Sequence, residues 1–333
     1  MTLGMLSALR RTRRTLGAAI FAAMAAGCVS SAPGGAPPPL APVAEIPFRF
    51  DYQGWITVGA AVNGAGPYDF IVDSGATITS VFANLAATQT FSPTPERTVQ
   101  ILGLIGAREL PVYFIGDIEL SGVAMEEHSG VVLPDWAAPN TTPQGVVGLD
   151  FLTRYGVQVD TGAGVIRLYD PTAAFAPPRG WTGVKMALFA ADGSGSKLYT
   201  VTVKAGGARI PCIVDLGASG TIFNTAALRE MARGVRSNTA HDRRMMSTGS
   251  HINDVFDISD RVRPVRIDHM AIGGASWRNR VYAVYDAQIF DDLGYEKKPF
   301  CLVGADLFAD RSFMFDFARG AMYIGPRRAG DAP

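Results

Sequence analysis

The chain has 333 residues, of which 48% are hydrophobic and 18% charged, with 30 Lys+Arg balanced by 30 Asp+Glu. This composition excludes a disordered or fibrous protein, and zero net charge argues against a nucleic-acid binder, which needs a basic excess to neutralise phosphates. No apolar run reaches the ~18 residues of a membrane span, and the length is enough for two hydrophobic cores.

Arg10, Arg11, Arg13 and Arg14 precede a small, apolar stretch from Leu16 to Ala26. Positive charge followed by a short apolar run predicts a secretory signal peptide over residues 1–27. The stretch ends in Ala25-Ala26-Gly27-Cys28, which resembles a bacterial lipoprotein signal. Ala25 departs from the usual leucine. The resemblance implies lipidation of Cys28, attachment to a membrane through that lipid, and a place on the periplasmic side, at the outer membrane in preference to the inner. Residues 28–45 carry Pro33, Pro37, Pro38, Pro39 and Pro42. Proline at that density favours an extended, semi-rigid tether.

Two runs further on repeat one another. Phe70-Ile71-Val72-Asp73-Ser74-Gly75-Ala76-Thr77 returns as Cys212-Ile213-Val214-Asp215-Leu216-Gly217-Ala218-Ser219. Each follows a predicted hairpin, one turning at Asn63-Gly64 and the other at Gly206-Gly207, because alternating apolar residues around such turns read as paired strands. A second block repeats in the same order. Val147-Gly148-Leu149-Asp150 matches Val303-Gly304-Ala305-Asp306, and each is followed at equal spacing by a further aspartate, Asp160 and Asp316. More strand-like alternation covers Ile115 to Val123 and Ile267 to Trp277. Helices are few, the clearest having Asn224 as N-cap and running through Leu228 and Met231 to Gly234. The pattern predicts a mainly β protein of two related halves, residues 46–178 and 179–328, joined near Pro177 to Thr182.

The repeated aspartates suggest chemistry. Each ends a buried strand and precedes Gly-Ala, which permits a tight loop. Two such loops brought face to face about a pseudo-twofold axis place two carboxylates in contact, where they cannot both ionise and must share a proton. The ionised member can take a proton from a water between them while the protonated member donates to a carbonyl oxygen, hydrolysing an amide without metal or other cofactor.

Asp-Ser-Gly-Ala after two β-branched residues, with two apolar residues and Gly further on, resembles the aspartic peptidases of the pepsin and retropepsin type. The two halves resemble a duplicated, single-chain bacterial retropepsin-like protein over roughly residues 50–326. The resemblance implies a fold of two β-barrel halves and a catalytic dyad of Asp73 and Asp215. It implies supporting loops at Ser74, Gly75, Ala76, Thr77, Gly217, Ala218 and Ser219, and threading strands at Gly148 and Gly304. It also implies an extended peptide or protein substrate under flaps drawn from residues 95–115 and 240–256, with no homodimer required for the dyad. In that family a Ser or Thr follows each aspartate. Ser74 fits and Leu216 does not.

Several features remain open. Cys212 and Cys301 form an even pair suited to a disulfide in an oxidising compartment, or are two buried thiols. His128, His241, His251 and His269 have no metal-ligand spacing, and no Gly-x-Ser-x-Gly elbow occurs. The Arg233 to Arg244 run reads as a solvated loop. Asp150 and Asp306 read as N-caps of short helices, and Asp160 and Asp316 as turn residues. Three functions therefore stand: an aspartic endopeptidase anchored by lipid, a non-catalytic peptide-binding lipoprotein on the same fold, and a structural envelope lipoprotein.

Overall fold

A computed structural model describes residues 40–135, 142–173, 175–190, 197–231, 235–236, 251–253, 256 and 258–328. The expected signal peptide, Cys28, most of the tether, Gly234, His241 and the Arg233 to Arg244 run apart from Val235 and Arg236 lie outside the described residues; Val235–Arg236, expected in a loop, is a short strand paired with Ile267 and Arg266. No described helix is long and apolar enough to cross a membrane.

Three levels of strand pairing build the protein. The central level is a palindrome of six strands: Thr182–Lys185, Ala321–Ile324 and Phe313–Asp316 from one half, then Gly156–Asp160, Val165–Tyr169 and Ala44–Phe50 from the other. The halves meet where Phe313 pairs with Val159 and Asp316 with Gly156, antiparallel. Asp160 and Asp316 each close a turn after their strand, accepting Ala163 N–H at 3.1 Å and Arg319 N–H at 3.1 Å. The palindrome is the sheet expression of the sequence repeat. One boundary moves: Ala44 and Glu45, expected in the tether, begin a strand. Ala44 pairs with Leu168, and Glu45 holds Arg167 at 2.7 Å.

Above this sheet each half repeats one arrangement. Ile56–Val62 and Ala65–Val72 form the first hairpin, turning at Asn63 and Gly64 with φ of 50° and 77°. Positive φ at both turn residues suits the twist of a two-residue hairpin loop, and Asn-Gly is the pair that tolerates it. Lys197–Ala205 and Ala208–Val214 form its counterpart around Gly206 and Gly207. The second strand of each hairpin then pairs in parallel with a short buried strand, Gly145–Val147 in one half and Cys301–Val303 in the other. Parallel pairing buried on both sides explains why the paired stretches, residues 70–72 and 212–214, are uninterrupted apolar runs. The clearest helix covers Thr225–Glu230, and Asn224 caps it by accepting Ala227 N–H at 2.8 Å.

The equivalent positions under the two loops are filled differently. In the first half the Phe70 ring lies over Gly145, where a Cβ would come within 2.4 Å of the ring. In the second half Cys212 and Cys301, directly opposite in register, are joined as a disulfide across 89 residues of chain. Both cysteines are fully buried. Replacing both by alanine should lower unfolding stability by about 2–5 kcal/mol, because a loop of that length regains its freedom in the unfolded chain. Denaturant melts of the oxidised parent and the double variant measure this, and an unchanged midpoint would contradict it.

Candidate active site

The two repeated loops face one another at the floor of a cleft of about 500 Å³. Asp73 follows Ala65–Val72 and Asp215 follows Ala208–Val214, each fixed by its backbone N–H to the neighbouring parallel strand, Val147 O at 3.0 Å and Val303 O at 2.9 Å. In each loop the carboxylate folds back onto the chain. Asp73 Oδ1 accepts Gly75 N–H at 2.8 Å and Ala76 N–H at 3.0 Å. Asp215 Oδ1 accepts Gly217 N–H at 2.9 Å and Ala218 N–H at 3.2 Å. The inner oxygens are thus occupied alike, and the two carboxyl groups are within hydrogen-bonding reach of each other.

Space for that approach is made by glycine. A Cβ on Gly75 would sit 2.5 Å from Asp215 Cγ, and a Cβ on Gly217 would sit 2.3 Å from Asp73 Cγ. Each loop therefore cradles the carboxylate of the opposite half.

Both aspartates keep one face toward the cleft and are otherwise densely surrounded. Burial raises the Asp73 carboxyl above its ordinary range, against the pull of its hydrogen bonds to Asp215 and to the loop N–H groups. Burial, then the charge of Asp73, raises Asp215 well above that range. Two carboxylates this close titrate as a unit, and the arrangement retains one proton between them after the first has left.

The departure at Leu216 has a visible consequence. Ser74 is buried, and its hydroxyl crosses between the halves, donating to Val214 O at 2.8 Å and accepting Leu216 N–H at 3.1 Å. Leu216 is also buried but carries no hydroxyl to return the bond. One half of a reciprocal clasp is made, and an apolar side chain fills the other half. Thr77 and Ser219 are exposed beside the loops and line the cleft.

Gly148 and Gly304 lie directly against the loops. A Cβ there would come within 2.7 Å of Ile78 C and 2.6 Å of Gly220 C. The residue after each glycine, the first of a short helix, donates to the loop, Leu149 N–H to Ala76 O and Ala305 N–H to Ala218 O, both at 2.8 Å.

Asp150 and Asp306 are not N-caps. The cap residues are Gly148 and Gly304, in extended conformation. The carboxylates instead turn to a threonine six residues after each loop aspartate. Thr79 Oγ1 donates to Asp150 at 2.7 Å and accepts Gly148 N–H at 3.0 Å. Thr221 Oγ1 donates to Asp306 at 2.7 Å and accepts Gly304 N–H at 3.1 Å. These clasps tie the far end of each loop to its threading strand. Asp306 is buried enough to be pushed up to about 6, opposed by the Thr221 hydroxyl and the Arg280 guanidinium. The threonines were detectable in the sequence as another repeat at fixed offset from Asp73 and Asp215. His128 is buried, with Nε2 at 2.8 Å from Thr79 O, a structural position beside the same clasp.

The cleft walls are mainly apolar, with Trp55, Ile71 and Phe82 on one side and Ile222, Ile289 and Leu302 on the other. Among the described residues no cluster of potential metal ligands occurs. The expected first flap is the hairpin of Ser92–Leu102 and Ala107–Leu120. The second expected flap falls mostly outside the described residues. Its described residues are His251–Asn253, which border the cleft and pair with Ser259–Arg261, and the buried Phe256.

Comparison with known proteins bears on this geometry. Residues 58–151 match the family model for aspartyl protease. No curated protein matches the sequence. Among solved structures, the crystal structure of an aspartic proteinase from Irpex lacteus aligns at 13% identity over 87% of this chain and 98% of that chain, with a TM-score of 0.49. Residues 58–151 are thus similar to the aspartyl protease family, and the chain resembles the pepsin/retropepsin-like aspartic peptidases.

Proposed function

We propose that the protein is an aspartic endopeptidase that hydrolyses peptide bonds with a water activated between Asp73 and Asp215. The observation that carries this reading is the mutual cradle, in which Gly75 and Gly217 each leave space for the carboxylate of the opposite half. The ionised carboxylate accepts a proton from the water as the water attacks the scissile carbonyl carbon. The protonated carboxyl donates to the carbonyl oxygen, giving a tetrahedral gem-diol. Collapse of that intermediate returns a proton to the leaving amine, breaks the C–N bond and restores the shared proton. The apolar cleft suits an extended peptide. The proposal extends to location: residues 1–27 act as a lipoprotein signal and Cys28 carries lipid, so that the enzyme stands on the periplasmic side of a bacterial membrane at the end of a proline-rich tether.

The mechanism needs one protonated and one ionised carboxyl, so its pH profile is a bell. Activity should fall at low pH as the second proton binds and at high pH as the shared proton is lost. Since burial raises both groups, the maximum should lie above the ordinary aspartate value of 3.8. The test is incubation of soluble residues 29–333 with a mixture of unstructured peptides from acid to neutral pH, with products identified by mass spectrometry. Leu216 is the observation favouring a second reading, a peptide-binding lipoprotein without turnover. That reading predicts saturable binding and no product at any pH, a result that would overturn the peptidase.

A further inference from the structure

The flap is tied to the opposite half at its tip. Between Ser92–Leu102 and Ala107–Leu120 the chain turns through Gly103 to Gly106, closed by Gly103 N–H to Gly106 O at 2.7 Å. At the apex the Leu104 carbonyl accepts the Gln288 N–H of the second half at 2.8 Å. Leu104 is half-buried, packs against the hydrophobic core and lines the cleft beside Ile289 and Leu293. Two further contacts reinforce the tie. Gly106 lies beside Ile258, whose Cδ1 would be 3.7 Å from a Cβ there, and the Arg108 guanidinium stands 4.7 Å from the centre of the buried Phe256 ring.

Below the tip the hairpin is held on one side: Ala107–Leu120 pairs with Val123–Leu133 from Val112 onward and buries Val112, Ile115, Ile118 and Leu120, whereas its partner strand lies at the sheet edge. Ser92–Leu102 is a mostly exposed edge strand, its register is broken between Pro93 and Thr98, and Glu96 has φ of 59°. Toward the tip only the partly buried Val99, Ile101 and Leu110 pack against the cluster of Trp55, Ile71 and Phe82, and few buried contacts there mean a low cost of local opening. The tip contacts therefore decide whether the flap stays shut.

We propose that these contacts form a latch: the flap is held closed on the second half through Leu104 O and Gln288 N–H, with Leu104 as a self-inhibitory plug that a peptide must displace. The inference rests on the aspartic-peptidase reading of the cleft. It adds regulation, since the fraction of molecules with the flap open scales the apparent affinity for substrate.

Gln288 permits a clean test. It is exposed and is the first residue of the helix Gln288–Asp292, so its N–H has no partner within the helix. Proline is tolerated at that first position. The preceding Ala287 already has φ of −70° and ψ of 138°, the conformation proline requires of its neighbour. Gln288→Pro thus removes the latch donor and leaves the helix intact, while Gln288→Ala removes the side chain and keeps the donor.

Hydrogen exchange of the Gly103 to Ala107 amides and kcat/KM on a cleaved peptide should be measured for both variants in the full-length mature protein. In Gln288→Pro, exchange should accelerate and kcat/KM should rise about two- to tenfold, the span that one net hydrogen bond supplies. Gln288→Ala should match the parent in both. Unchanged exchange in Gln288→Pro, or equal acceleration in Gln288→Ala, would overturn the latch. An unchanged or lower kcat/KM in a protein that cleaves would overturn the plug. Accelerated exchange in Gln288→Pro together with a parent that cleaves nothing would support the latch and sink the peptidase reading, so the two fail separately.

Discussion

Asp73→Asn and Asp215→Asn should each abolish peptide cleavage, with losses of at least about 10³-fold. One group must remove a proton from water while the other donates one, and general acid–base assistance of a single step contributes 10² to 10⁴-fold. Asparagine keeps the shape and can still accept the loop N–H groups. It cannot take the proton, and because the two residues act as a unit the second substitution should add little to the first. The folded state offers an internal control. Asp215 has its carboxyl raised in the folded protein, so its contribution to stability is fully present below the unfolded value of 3.8 and is lost as pH rises through the folded value. Asp215→Asn removes that penalty. At neutral pH the variant should therefore melt at or above the parent temperature while showing no turnover. Peptide turnover and thermal melts at neutral pH check both parts. Full activity in either variant would remove the dyad from the mechanism, and a lower melting temperature would contradict the burial argument.

Gly217→Ala should be nearly as damaging to activity, by a different route. The added Cβ would lie 2.3 Å from Asp73 Cγ and within 2.6 Å of both carboxylate oxygens. Neither Gly217 nor Gly75 has a left-handed backbone, so alanine is refused by the opposite carboxylate and not by its own φ. Relief requires Asp73 to swing away or the loop to retreat. A displacement of about 1 Å in a catalytic group costs on the order of 10²-fold in rate. Overpacking a fitted site costs about 1–3 kcal/mol of stability. The Gly75→Ala counterpart should behave alike, since its Cβ would meet Asp215 Cγ at 2.5 Å. Rate and unfolding midpoint measured for both variants test the symmetry of the cradle. Alanine at either position with parental rate would show that the carboxylates do not approach as described.

Much of this arrangement was legible in the chain because duplication writes it twice. The runs ending at Asp73 and Asp215, and the blocks around Gly148 and Gly304, hold matching positions in the fold. The turns at Asn63-Gly64 and Gly206-Gly207 were equally readable, since positive φ at adjacent residues leaves few choices of side chain. The central sheet was not, because pairing of Gly156–Asp160 with Phe313–Asp316 joins segments far apart in sequence and leaves no local period. The flap strand was hidden for another reason. Pro93 and Pro95 and the left-handed Glu96 interrupt the alternation in Ser92–Leu102, which proline permits on an edge strand only. Asp150 and Asp306 were misread because a carboxylate near a helix start suggests a cap, whereas Thr79 and Thr221 offer hydroxyls that bond it elsewhere. Neither order of the cysteines nor their spacing fixed the disulfide. The parallel register of Cys212 with Cys301 does.

The proposed mechanism requires Asp73 and Asp215 to hold one proton in common. It is tested most directly by following the carboxyl carbons of both residues by NMR across pH, in protein carrying ¹³C at aspartate and with Asp73→Asn and Asp215→Asn for assignment. The two signals should move together in two coupled steps, the upper well above 3.8, and replacing Asp73 should lower the value of Asp215 by removing the like charge. Independent titration of the two carboxyls near 3.8, indifferent to each other's substitution, would contradict it.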